Sequence, residues 1–114
     1  MCGIFGVVSK NHNKLDRSAC KRALSKLSWR GPDLSTYTFW EDRVFLGQSI
    51  LSITGRVKTK NGKHLQSKSG RYLIGFNGEI YNYRKLQENY LKNNFDSYDQ
   101  ITDSEVLVNL FDKK

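Results

Sequence analysis

The apolar residues of this 114-residue chain come in short runs. Two breaker dipeptides punctuate them, Gly31-Pro32 where a helix stops and Asn77-Gly78 where a strand is broken. Ile4 to Val8 is apolar and β-branched and reads as a buried strand that gives way to the polar stretch Ser9 to Lys14. Leu15, Ala19, Ala23, Leu24 and Leu27 then recur at helical spacing with basic residues between them. This is an amphipathic helix stopped by Gly31-Pro32. Thr36 to Trp40 and Arg43 to Ile53 read as two strands of a hairpin turning at Glu41-Asp42. A Gly- and Lys-rich segment reaches about Gly70, and Arg71 to Phe76 reads as a further strand. Asn77-Gly78 breaks that strand with the dipeptide most used where backbone φ must be positive, and Glu79 to Asn82 resumes extended structure. Tyr83, Leu86, Tyr90 and Leu91 mark a second helix. Thr102-Asp103-Ser104-Glu105 has the spacing of a capping box that opens a third, carrying Val106, Leu107, Leu110 and Phe111.

Composition narrows the classes. Apolar residues make up 38%, with six Phe, six Tyr and two Trp, enough for the core of one domain and too much for a disordered chain. No apolar run approaches the roughly eighteen residues of a membrane span, and the amino terminus lacks the pattern of a secretory signal, so a cytoplasmic protein is expected. The net charge of +8 comes from dispersed Lys and Arg with no nucleic-acid reader motif. That pattern favours a solvated basic face, or a surface for an acidic partner, over nucleic-acid recognition. Cys2 and Cys20 are not expected to pair in a reducing compartment, and Cys20 reads as core-facing on its helix. His12 and His64 have no second ligand at metal spacing, so no metal site is expected.

The chemistry begins at the amino terminus. Removal of Met1 would leave Cys2 with a thiol and a free α-amine on one residue, a nucleophile beside a base of pKa about 8. The alternative is a small buried hydrophobe at the start of a strand. Arg30-Gly31-Pro32-Asp33 follows the first helix, Asn77-Gly78-Glu79 follows a strand, and Asp103 stands at a helix start. Each has a structural explanation too: a helix-end cation and a loop, a hairpin turn, and a first-turn carboxylate.

Taken together and in this order, these motifs resemble the class II glutamine amidotransferases, whose glutaminase domain uses an amino-terminal cysteine. Met-Cys-Gly-Ile-Phe-Gly at 1–6, Phe-Asn-Gly-Glu-Ile-Tyr-Asn at 76–82 and Thr-Asp-Ser-Glu-Val-Leu at 102–107 carry the likeness over essentially the whole chain. Arg-Gly-Pro-Asp at 30–33 and Asn-Gly-Glu-Ile-Tyr-Asn at 77–82 look like the asparagine synthetase branch. The resemblance implies an α+β fold, a four-layer α/β/β/α sandwich of antiparallel sheets of the Ntn-hydrolase type, truncated at the C-terminus. Residues 1–114 would then be part of a glutaminase domain with no synthetase domain. It further implies Cys2 as nucleophile, the Asn77 side chain and Gly78 N–H as oxyanion donors, and Glu79, Asp103, Arg30 and Ser52 as substrate-binding residues. L-glutamine is the implied substrate. A synthetase domain or partner chain would consume the ammonia, and ATP and Mg would belong there, with no cofactor in this domain.

Two departures from that branch matter. Its segment after the hairpin reads Gly or Ala, His, any residue, Arg, Leu, Ser, Ile, with the arginine gripping the glutamine α-carboxylate. Here the segment is Gly47-Gln48-Ser49-Ile50-Leu51-Ser52-Ile53, so Ile50 stands where that clamp would be, and Arg56 is a substitute only by proximity in sequence. The chain is also short for the family, and an incomplete sheet would leave edges open to association, a homo-oligomer among the outcomes. The alternative function is therefore a catalytically weak or inactive amidotransferase-like binding or scaffolding module.

Overall fold

A computed structural model describes residues 2–51, 66–92 and 101–114. These divide into two compact units, one holding residues 2–51 and 75–77, the other 66–74, 78–92 and 101–114. No helix of the described residues is long and apolar enough to cross a membrane.

The first unit is a three-stranded antiparallel sheet with one helix. Strand β1 (Gly3–Val8) and strand β2 (Leu34–Trp40) flank the central β3 (Val44–Ile50), giving the order β1-β3-β2. The registers are Gly3 opposite Ser49 through Val8 opposite Val44, and Leu34 opposite Ile50 through Trp40 opposite Val44. The β2–β3 hairpin turns where the sequence places it, at Glu41 and Asp42, both with φ of 52°, closed by Arg43 N–H donating to the Trp40 carbonyl at 3.0 Å. Two successive left-handed residues in the three-residue loop 41–43 turn the chain back on itself, although neither is the Asn or Gly that a positive φ favours. Arg17 compensates by ion-pairing with Asp42.

Helix α1 (Arg17–Ser25) is shorter than the apolar pattern from Leu15 to Leu27. Asp16 caps it by accepting from Ala19 N–H at 3.0 Å. Its buried Cys20 and Leu24 lie on the fully buried Phe45, with Phe5, Val7, Leu15, Leu27 and Phe39 around them. Cys20 is thus core, as its helical position indicates. Phe45 is the hub of an aromatic cluster, its ring centroid 4.8 Å from Phe39, 5.8 Å from Phe5 and 5.9 Å from Tyr37.

The chain leaving α1 is drawn onto the end of β3. Pro32 bridges Ile50, and Asp33 N–H donates to the Ile50 carbonyl at 3.1 Å. Gly31 lies so close to this strand that a Cβ would fall within contact distance of Ser49 C and O and Ile50 N. The glycine of Arg-Gly-Pro-Asp is therefore there for close backbone approach as well as for stopping the helix.

Residues 71–76 do not form the expected strand. A lone bridge, Gln66 to Leu73, is the only ladder-type pairing described there, and 79–82 pass through a turn. Asn77 and Gly78 do not have positive φ either, because no hairpin is made at that point. The Gly- and Lys-rich segment expected after Thr54 lies largely outside the described residues.

The second unit holds helix α2 (Tyr83–Tyr90) and helix α3 (Asp103–Asp112). The capping box is present in full, with Thr102 Oγ1 accepting from Glu105 N–H and Glu105 Oε2 accepting from Thr102 N–H at 2.8 Å. Leu91, Val106 and Val108 form the buried apolar part. Buried Asn109 accepts from Lys68 N–H at 2.9 Å and donates to the Glu105 carbonyl at 2.8 Å, which fastens residues 67–69 to α3. Ser69 adds to this by donating its hydroxyl and backbone N–H to Asp112.

Gly31→Ala is expected to destabilise the protein by about 1–3 kcal/mol, since backbone cannot yield as a flexible side chain can. Equilibrium urea denaturation checks it. The Ser69 hydroxyl, joined by the Ser69 backbone N–H, holds the Asp112 carboxyl below its ordinary value of 3.8 against an opposing desolvation. A lowered native pKa stabilises above the unfolded value, and that stability is lost as pH falls through the native one. Asp112→Asn should therefore lower stability near pH 7 and shrink the further loss on acidification, read from denaturation curves at the two pH values.

Candidate active site

Cys2 immediately precedes β1, is half-buried and carries a free thiol. Its position is set by the β1–β3 ladder, whose last pair is Gly3 with Ser49. The face of the sheet opposite α1 carries Ile4, Leu46 and Gln48, and residues 75–77 lie along it. A Cβ on Gly75 would come to 2.9 Å from Ile4 Cγ2 and 3.1 Å from Leu46 Cδ1. Gln48 fixes this segment. Its Nε2 donates to the Phe76 carbonyl at 2.6 Å, and Phe76 N–H donates to its Oε1 at 3.4 Å. Cys2, at the head of β1, and Asn77, one residue beyond the Gln48 anchor, both belong to the first unit. Asn77 is exposed.

Arg30 belongs to the same unit, where its guanidinium stacks over Trp29 with 5.3 Å to the ring centroid. This is the structural use of a cation just past a helix end, and it makes no demand on a substrate. Ile50 is 8% exposed, so the residue standing at the arginine position is part of the packing under the Gly31–Asp33 loop. Ser52 and Arg56 lie outside the described residues.

Gly78, Glu79 and Asp103 belong to the second unit. Gly78 and Glu79 are exposed. Asp103 opens α3 and uses both carboxylate oxygens on backbone. Oδ2 accepts from Ile80 N–H at 3.0 Å and Oδ1 from Ser104 N–H at 2.9 Å. A carboxylate oxygen has more than one lone pair, so these bonds orient Asp103 without exhausting it. They also tie the Gly78–Tyr81 stretch to the helix start, giving Asp103 a structural job that sequence reading left to the helix dipole alone.

Sequence reasoning missed Gln48. The available signal was a long amide inside the run Phe45-Leu46-Gly47-Gln48-Ser49-Ile50, where a polar side chain on a central strand must find internal partners. Asp103→Ala is expected to cost about 1–3 kcal/mol by stranding two backbone N–H groups. Hydrogen exchange at the Ile80 and Ser104 amides should accelerate, while Phe76 stays protected.

A family model described as a glutamine amidotransferase domain matches residues 1–114. Relatives of two kinds are similar to the chain. A glutamine–fructose-6-phosphate aminotransferase of Listeria innocua is 32% identical, covering 98% of the chain and 22% of its own length. A probable glutamine-hydrolysing asparagine synthetase of Acanthamoeba polyphaga mimivirus is 34% identical over 97% of the chain and 20% of its own length. Asparagine synthetase 1 of Bacillus subtilis is 35% identical over 95% of the chain and 17% of its own length. The chain thus spans about a fifth of the length of these relatives, and identity alone does not separate the amino-sugar branch from the asparagine branch. No solved structure matches the chain significantly.

Proposed function

The chain belongs to the glutamine amidotransferase domain family, and on that premise we propose that it is a glutaminase part, hydrolysing L-glutamine to glutamate and ammonia for an asparagine synthetase-like amide-forming activity. The observation that carries the reading is a free, half-buried Cys2 at the head of β1, on the unit that also anchors Asn77. Once Met1 is removed, the Cys2 α-amine takes the thiol proton and Sγ attacks the carboxamide carbon. The tetrahedral intermediate collapses as the α-ammonium protonates the departing ammonia, leaving a thioester. Water, deprotonated by the same amine, cleaves the thioester to glutamate and restores the thiol.

Negative charge on the former carbonyl oxygen is met by the Asn77 carboxamide and the Gly78 N–H, each such donor being worth roughly 3 kcal/mol in comparable acyl-transfer sites. Asp103 faces the substrate α-ammonium, with Glu79 beside it. Arg30 and Ser52 complete the amino-acid end. No cofactor is needed for these steps, and ATP and Mg belong to a separate synthetase domain or partner chain. The fold that accommodates this reading is the four-layer α/β/β/α sandwich, of which residues 1–114 would be a part, in a cytoplasmic protein able to self-associate.

Ile50 favours a second reading. A buried aliphatic chain cannot grip the α-carboxylate, and losing such a charge-assisted contact costs about 1.5–3 kcal/mol, or roughly ten- to a hundredfold in binding. A domain that keeps the fold and turns over slowly, serving as a binding module, is the result if nothing else supplies that cation.

Treatment with a diazo-ketone glutamine analogue followed by intact-mass analysis separates the two. The glutaminase reading expects loss of Met1, one adduct on Cys2, glutamate release by the wild type and neither adduct nor release by Cys2→Ala. Retained Met1, or an unmodified Cys2, overturns it.

A further inference from the structure

Among the described residues no side chain hydrogen-bonds the Asn77 carboxamide, so its placement depends on the backbone that bears it. The nearest fixed point on that backbone is Phe76, and the group that fixes it is the Gln48 amide. We propose that Gln48 is the positioning residue of the oxyanion donor: its amide clasps both backbone groups of Phe76 and thereby sets where Asn77 presents its N–H to the reacting carbonyl. This deepens the glutaminase reading and rests on it.

Three observations carry the proposal. Gln48 is 5% exposed on the central strand, paired across the sheet with Ile4 of β1 and Thr36 of β2, so it is held by the same ladder that locates Cys2. Its two bonds are complementary, Nε2 donating to the Phe76 carbonyl at 2.6 Å and Oε1 accepting from Phe76 N–H at 3.4 Å, which fixes the orientation of the amide. Gly75, one residue earlier, lies close against Ile4 and Leu46, where a Cβ would come to 2.9 Å from Ile4 Cγ2, so the segment is pressed to the sheet where the clasp is made. Residues 75–77 form no ladder of their own, and the side-chain clasp takes the place of strand pairing.

The chemistry of the clasp is particular to an amide. A carboxamide carries a donor and an acceptor on one planar edge, spaced to meet the N–H and C=O of a single residue. A misplacement of one ångström at such a donor is enough to forfeit most of its effect, because the oxyanion must sit within hydrogen-bond distance.

A double-mutant cycle on kcat for glutamine hydrolysis tests the proposal. Gln48→Met keeps the length and volume of the side chain and removes both bonds. It should lower kcat about a hundredfold while moving KM by less than about threefold, since the oxyanion forms only in the transition state. In an Asn77→Ala background the same substitution should change kcat by less than about threefold, because the group it aligns is gone. Gln48→Glu keeps the acceptor for Phe76 N–H, loses the donor, and should fall between; it carries the same cycle if the methionine variant does not fold. Equal losses in both backgrounds, or an unchanged kcat, would overturn the role of Gln48 while leaving the glutaminase reading intact. A wild-type protein that neither reacts at Cys2 nor releases glutamate overturns both.

Discussion

The two hydrogen bonds between the Gln48 amide and the Phe76 backbone are the constraint that holds residues 75–77 to the sheet of the first unit, and the proposed chemistry rests on it. β3 is bonded to strands on both sides, and residues 47–50 are buried without interruption, so a polar side chain there has no water to turn to. The backbone of Phe76 is similarly left without a ladder partner. Each need satisfies the other. The consequence is that a segment with no regular structure is held to the sheet, against Ile4 of the strand that Cys2 precedes.

The opposite face of the same strand explains why this arrangement can be rigid. Phe45 is fully enclosed by Phe5, Phe39 and Tyr37, with Cys20 and Leu24 of α1 closing the cluster. The end of β3 is gripped by the Gly31–Asp33 loop through the Ile50 carbonyl. One strand thus has an apolar anchor on one side, a polar clasp on the other and a backbone lock at its end. The second unit uses a comparable economy of means: Asn109 and Asp112 of α3 satisfy the backbone of 68–69, and Asp103 at its start satisfies Ile80.

Elements whose identity lies in local pattern were legible in the sequence. The β-branched run of β1, the helical spacing around Cys20 and Leu24, and the capping box at Thr102 and Glu105 were all readable because neighbours a few residues apart decide them. Residues 71–76 differ from the expected strand because an apolar, β-prone run needs a partner strand to become one, and this run meets only a single bridge from Leu73 to Gln66 and, at Phe76, a side chain. Asn77-Gly78 misled for a related reason: the dipeptide permits positive φ, but only a hairpin demands it, and the demand falls on Glu41-Asp42 instead. For the candidate site, Cys2 and Asn77 are proposed from motif, whereas the Gln48 bonds and the close approach of Gly31 to Ser49 depend on tertiary contacts that no local pattern encodes.

Trapping the covalent adduct of Cys2 with a glutamine-derived ketone and determining its crystal structure tests the central claim most directly. The account expects the Asn77 Nδ2 within hydrogen-bond distance of the adduct oxygen, with Gln48 still bonded to both backbone groups of Phe76. An adduct oxygen met by other groups, with Asn77 turned away while the Gln48 clasp is intact, would contradict it.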